Sequence, residues 1–294
     1  MARERNILQI KGLTKSFSKN VEVLKGIDCE LKSGTVFSII GPNGAGKTTL
    51  IRILATLLRP SGGEFWISGL SSKTDLWKVR NLIGYCPERL PIDGRATGFE
   101  FLDFYAGVYG KKDSDVVNIL ETVELIDSAS RQISTYSSGM MKRMALARTL
   151  LIDPRVFLLD EPTSGLDPSG QRKLQNIILS MNKKDRAILI SSHNLYEVER
   201  ISDQIFFLKD GKLTTIDSVS EAFDDDEGPI IIDMTLNNLE DTLIDSIINE
   251  FQGTNLVSKG KRKVRLSAER TIDKDKFIAY VKEKGGDIVE IKYL

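Results

Sequence analysis

The spacing of hydrophobic positions changes along this chain, and each change marks a different kind of element. Ile7-Leu8-Gln9-Ile10, Val21-Glu22-Val23-Leu24 and Ile27-Asp28-Cys29-Glu30-Leu31 alternate at period two, which predicts antiparallel strands with one solvated face. Val36-Phe37-Ser38-Ile39-Ile40, Val156-Phe157-Leu158-Leu159 and Ala187-Ile188-Leu189-Ile190-Ser191 are nearly continuous apolar runs, the pattern of strands buried on both faces of a parallel sheet. Shorter strands are predicted at 63–67 and 83–86. Asp210-Gly211 between two apolar runs predicts a hairpin.

Helical spacing occupies 50–58, where Pro60 and Gly62 stop it, and recurs at 168–182 and 195–201. Three more helices, at 99–109, 113–125 and 139–151, form a helical insertion over about 89–152. Asp224-Asp225-Asp226-Glu227-Gly228-Pro229 reads as a solvated acidic linker over 221–229. From 230 to 294 the order is strand, helix, strand, strand, helix, strand, the ferredoxin-like α+β plan. The predicted organisation is therefore a large α/β domain over 1–220, the linker, and a small accessory domain.

Between the second of these kinds of run and the first helix lies Gly41-Pro42-Asn43-Gly44-Ala45-Gly46-Lys47-Thr48-Thr49, which fits G-x-x-x-x-G-K-[ST] at every fixed position. Glycines let backbone N–H groups close on phosphate oxygens, and the following helix N-terminus adds partial positive charge. Lys47 is then placed for the terminal phosphates of ATP and the Thr48 hydroxyl for Mg²⁺. The large domain is thus read as a P-loop NTPase. The alternative is a chance glycine-rich turn.

In parallel sheets reactive groups gather at the carboxyl ends of strands. Asp160 follows one apolar run and is placed to hold Mg²⁺; Glu161 comes next and is placed to polarise a water. His193 is the single histidine and follows another core strand, so a neutral imidazole there is placed for the γ-phosphate and the attacking water. Ser137 is a candidate N-cap in Tyr136-Ser137-Ser138-Gly139-Met140, a second anion-type helix start.

Composition narrows the class further. Lys plus Arg and Asp plus Glu stand at 41 each, so no global basic field points to nucleic acid. Cys29 and Cys86 make neither a disulfide framework nor a metal spacing, which predicts a reducing compartment. No apolar run approaches the ~18 residues of a membrane span. The expectation is a soluble cytoplasmic chain, with any membrane work done through another polypeptide.

Residues 7 to 217 resemble the ATPase subunit of an ATP-binding cassette transporter, and most of all the type-two export group. Gly41 to Thr48 matches Walker A, Tyr136 to Met140 the signature, Leu158 to Glu161 Walker B, Ser164-Gly165-Leu166-Asp167 the D-loop and His193 the switch histidine. The resemblance implies a head-to-tail dimer, a homodimer or a pair of ATPase subunits, with each ATP between Walker A of one subunit and Ser137 and Gly139 of the other. It implies that Phe17 stacks on adenine, the alternative being a core phenylalanine. It implies a membrane permease on a separate chain at the cytoplasmic face of the cell membrane, met by residues 88–109, where Phe101, Phe104 and Tyr105 are either contact or core. Three positions depart from the family pattern. Glu88 replaces the usual glutamine of the loop that touches Mg²⁺, keeping an oxygen ligand but adding charge. Ser138 and Met140 replace the usual glycine and glutamine of the signature. A soluble cassette ATPase acting on ribosomes or DNA is the rival reading, set against the lack of a second cassette, a heptad run or a basic patch.

Overall fold

The computed structural model describes residues 6–18, 21–193, 195–216, 230–251, 253–268 and 272–293, and the predicted acidic linker lies outside them. The chain divides into two compact units, Met1–Phe223 and Asp224–Leu294. Among the described residues no helix is long and apolar enough to cross a membrane.

The first unit begins with strands β1 (Asn6–Ser18) and β2 (Val21–Lys32), which pair antiparallel. Each is longer than its alternating segments predict. Register shifts between Ile10 and Leu13, and again near Ser16, absorb breaks in the period, so one bulged strand replaces two separate ones. With β4 (Gly62–Ile67) and β5 (Leu70–Ser71) they complete a sheet of order β2-β1-β4-β5.

Strands β3 (Thr35–Ile40), β6 (Ile83–Cys86), β7 (Val156–Asp160), β8 (Ala187–Ser191), β9 (Gln204–Lys209) and β10 (Lys212–Ile216) make a second sheet, ordered β10-β9-β3-β8-β7-β6. Its β9-β3-β8-β7-β6 portion is parallel, and β10 closes the edge as the predicted hairpin. Alternate residues face opposite cores. Phe37, Ile39, Val156, Leu158 and Leu189 pack with helix α1 (Lys47–Leu54) and the antiparallel sheet. Val36, Phe157, Leu159, Ile188 and Ile190 pack toward the helical insertion. Both faces being covered explains why these runs show no polar alternation.

Helix α1 stops at Leu54, four residues before the predicted end, because Thr56 turns left-handed (φ 59°) and Leu57 and Leu58 N–H return to the Arg52 carbonyl. A short helix α2 (Leu76–Arg80), not anticipated, precedes β6. The insertion contains α3 (Gly98–Tyr109), α4 (Asp113–Thr122) and α5 (Ser138–Leu151). Thr97 caps α3 through a reciprocal box with Glu100, at 3.2 and 2.8 Å. On α3, Leu102 and Ala106 are buried and Phe101 and Tyr105 half-buried against that core, whereas Phe104, Val108 and Tyr109 are exposed. The three aromatics named from the sequence therefore split between packing and surface. Helices α6 (Pro168–Met181) and α7 (Leu195–Ile201) follow β7 and β8.

The second unit contains β11 (Ile230–Leu236), α8 (Asp241–Glu250), β12 (Asn255–Lys259), β13 (Lys263–Ala268), α9 (Lys274–Glu283) and β14 (Ile288–Tyr293). Its sheet runs β12-β13-β11-β14 with every pair antiparallel, the ferredoxin-like arrangement. Met234, Leu236, Val264 and Leu266 pack on Ile244, Ile247, Phe277 and Val281 of the two helices.

Candidate functional site

The phosphate loop runs from Gly41 to the start of α1, and its glycines are required by the backbone. Gly41 has φ 152°, and a Cβ there would lie 2.2 Å from the Leu208 carbonyl oxygen. Gly46 has φ 110° and would meet Val23 at 2.9 Å. Any larger residue at these two positions would press on the strands beside the loop and strain the chain. Between them Ala45 N–H donates to the Pro42 carbonyl at 3.2 Å, which turns the loop over Asn43 and Gly44.

Lys47 is buried and curls back under this loop, donating to the carbonyls of Gly41 at 2.8 Å and Pro42 at 3.3 Å. Burial lowers its pKa, while the carboxylates of Glu161 and Asp160 oppose the shift. A buried ammonium whose hydrogen-bond partners are carbonyl oxygens suits a polyanion, which would supply the missing negative charge. On this evidence the loop fits a triphosphate.

Thr48 Oγ1 donates to Asp160 Oδ1 at 3.1 Å, and the same oxygen accepts from Ser191 Oγ at 2.7 Å. The ends of β7 and β8 and the first turn of α1 thus meet at one carboxylate oxygen. A hydroxyl and a carboxylate are hard oxygen donors of the kind Mg²⁺ takes, with phosphate and water completing its shell. Among the described residues no group of three or more His, Cys, Asp or Glu side chains could hold a metal alone. Glu88, named from the sequence as a third ligand, has an exposed side chain, and its main-chain oxygen accepts from Lys142 Nζ. Among the described residues no hydrogen bond joins it to the Thr48–Asp160 pair.

Glu161 occupies the left-handed region (φ 48°), unusual for a residue with a side chain. Its N–H is shared by the Ser191 carbonyl at 3.2 Å and Ser191 Oγ at 3.0 Å. That turn separates it from Asp160 and sends its carboxylate to His193, with Nδ1 and Oε2 2.7 Å apart. With Nδ1–H given to Glu161, a neutral ring presents Nε2 as an acceptor. Nε2 is thus the ring atom left for the nucleotide, an acceptor toward water when the ring is neutral and a donor toward the γ-phosphate when both nitrogens carry protons.

The signature residues stand at the N-terminus of α5, in the helical insertion. Ser137 Oγ accepts from Met140 N–H at 3.3 Å, the predicted cap. A Cβ at Gly139 would meet nothing closer than 3.9 Å, so packing within the chain does not require glycine there. Met140 packs half-buried against the core of the insertion, which accounts for an apolar residue where the family has glutamine. Phe17 is 58% exposed, which removes its core alternative, and Lys15 Nζ lies 5.0 Å from the ring centroid.

Ser191 and Lys142 were not legible as site residues. The only signal for Ser191 was a hydroxyl at the end of an otherwise apolar strand, and Lys142 carried none. Glu197, fully buried, was missed as well; it accepts from Thr163 Oγ1 at 2.5 Å and Ser192 Oγ at 3.0 Å, joining the segment after Glu161 to the one before His193.

Comparison with known proteins agrees with this geometry. Residues 24–164 match the family model described as ABC transporter. An uncharacterised ABC transporter ATP-binding protein of Synechocystis is 38% identical over 218 residues, covering 72% of this chain and 61% of that relative. A fluoroquinolones export ATP-binding protein of Mycobacterium tuberculosis is 33% identical over 216 residues, covering 73% of this chain and 72% of the relative. A solved ATP-binding subunit of an ABC transporter superposes with a TM-score of 0.65 at 26% identity, over 74% of this chain and 98% of that one. With its phosphate loop, its paired acidic residues and these relatives, the chain belongs to the ATP-binding proteins of ABC transporters, the ATPases of that family.

Proposed function

We propose that this chain hydrolyses ATP to drive a membrane permease carried on a separate polypeptide, in the direction of export, from the cytoplasmic face of the membrane. The observation that carries the reading is the meeting of three strand ends at Thr48, Asp160, Glu161 and His193. The loop from Gly41 to Thr49, with Pro42, Asn43, Gly44, Ala45 and Gly46 supplying main chain, binds the phosphates, and Lys47 pairs with the terminal ones. Thr48 and Asp160 hold Mg²⁺, which when bound neutralises charge on the phosphates. Glu161 accepts the proton of the attacking water, and Nε2 of His193 serves the γ-phosphate and that water.

Phe17, exposed on β1, offers its ring to adenine. Ser137 and Gly139 serve the nucleotide of a second ATPase subunit, because the open space at Gly139 has no use within the chain. Two such subunits close head to tail over two ATP molecules. The relatives are transporter ATP-binding proteins, which favours a permease over a ribosome or nucleic acid as partner. Phe104, Val108 and Tyr109 on α3 form an exposed apolar patch for that permease.

The test is Glu161→Gln. ATP binding is retained and turnover falls at least ~100-fold. A variant that still turns over ATP at more than a tenth of the normal rate removes Glu161 from the role.

A further inference from the structure

Lys142 belongs to α5 in the helical insertion, yet its ammonium reaches the end of the core sheet. Nζ donates to the main-chain oxygen of Glu88 at 2.7 Å and to that of Glu161 at 2.8 Å. Glu161 follows β7, and Glu88 lies just beyond the neighbouring parallel strand β6, with Cys86 paired to Leu159. One cation therefore spans two adjacent strand ends.

The Glu161 end is the consequential one. Its left-handed backbone is strained and persists only where neighbours hold it. Ser191 holds the N–H side, and Lys142 holds the carbonyl side, assisted by Ser164 N–H at 3.3 Å. Rotation of either peptide plane would swing the carboxylate away from His193. Burial lowers the Lys142 pKa, and the nearby carboxylates of Glu88, Glu161 and Asp160 are among the groups that oppose the shift.

We propose that Lys142 is a positioning residue for hydrolysis: by gripping both carbonyls it fixes the Glu161 carboxylate and makes its placement depend on the loop that begins at Glu88. The helical insertion thereby touches the reacting end of the site through one side chain. The inference rests on the role given to Glu161 above.

The test uses the full chain, with steady-state ATPase rates, ATP affinity and thermal unfolding measured together. Lys142→Met keeps the aliphatic stem and removes the donors; kcat falls ~10–100-fold while KM for ATP stays within about twofold. Lys142→Arg restores most of the rate, and Lys142→Gln falls between. Because the Glu88 acceptor is main chain, Lys142→Met has the same fold-effect in a Glu88→Gln background. A Lys142→Met kcat within about twofold of normal overturns the proposal, as does a loss confined to KM. If Lys142→Met does not fold, Lys142→Gln carries the same split between kcat and KM. A chain that hydrolyses ATP, loses activity in Glu161→Gln and is unaffected at Lys142 overturns the positioning role alone. A Glu161→Gln variant with full turnover overturns the reading of the site itself.

Discussion

The two units of this protein handle polar residues in opposite ways. In the first, β3, β7 and β8 are buried along their length, and polar groups collect where they end, at Asp160, Glu161, Ser191 and His193. In the second, the strands alternate. Ile232, Met234 and Leu236 face the helices, while Asp233 on the same strand faces outward and pairs with Arg265 in two hydrogen bonds of 2.6 Å. Parallel strands covered on both sides leave their termini as the one place where charge is cheap, so chemistry concentrates there. An antiparallel sheet with a polar face spreads its charges over that face as local ion pairs, as Asp233 and Arg265 do.

Substitutions that separate the units test this contrast. The largest effect belongs to the second core: Phe277 is fully buried, and Phe277→Ala lowers the stability of that unit by ~3–5 kcal/mol. ATP affinity at the first unit stays unchanged; a parallel fall in affinity would break the separation. Next, Lys47→Ala weakens ATP binding by about 100-fold, roughly 2.7 kcal/mol, with little change in unfolding, as titration calorimetry would show. Binding preserved in that variant would place the phosphates elsewhere.

Ser191→Ala removes the donor to Asp160 and the side-chain acceptor of Glu161 N–H, leaving the carboxylate without one partner. A loss of ~1–3 kcal/mol follows, with turnover falling more than affinity. An equal fall in both would make Ser191 a binding residue. The smallest effect is expected at the outward pair: Arg265→Ala leaves the unfolding midpoint nearly unchanged, because both partners are partly exposed and solvent screens them. The Arg265 guanidinium holds the Asp233 carboxyl below the usual carboxylate range. Its small contribution is accordingly present above the ordinary Asp pKa and fades as pH falls through the depressed one. A loss comparable to that of Phe277→Ala would show that the polar face is structural after all.

Contiguous features could be read from residue order. The phosphate loop is a local device whose strand, glycines and helix are neighbours in the chain, so Gly41 to Thr49 announced itself. Asp160, Glu161 and His193 were legible for a related reason, since a polar residue closing an apolar run is visible without knowing what lies beside it. The ferredoxin-like order was equally plain, because period two and helical period alternate cleanly from 230 onward. Where bulges interrupt the period the reading failed locally, as in β1, and a left-handed residue at Thr56 ended α1 early.

Other features had no local signature because they are contacts between residues far apart in the chain. Ser191 reaches Asp160 across 31 positions, and Lys142 reaches Glu88 across 54. Whether Glu161 aims at His193 or at the Thr48–Asp160 pair depends on a backbone turn that Ser191 and Lys142 hold from either side, not on the identity of Glu161. Residue types and their periods settle which chemistry a strand end can offer, since those follow from side-chain bonds and from burial on one face or two. Which oxygen meets which donor is settled by packing strands edge to edge, where a register shift of one residue would send each of these groups to the opposite side of the sheet.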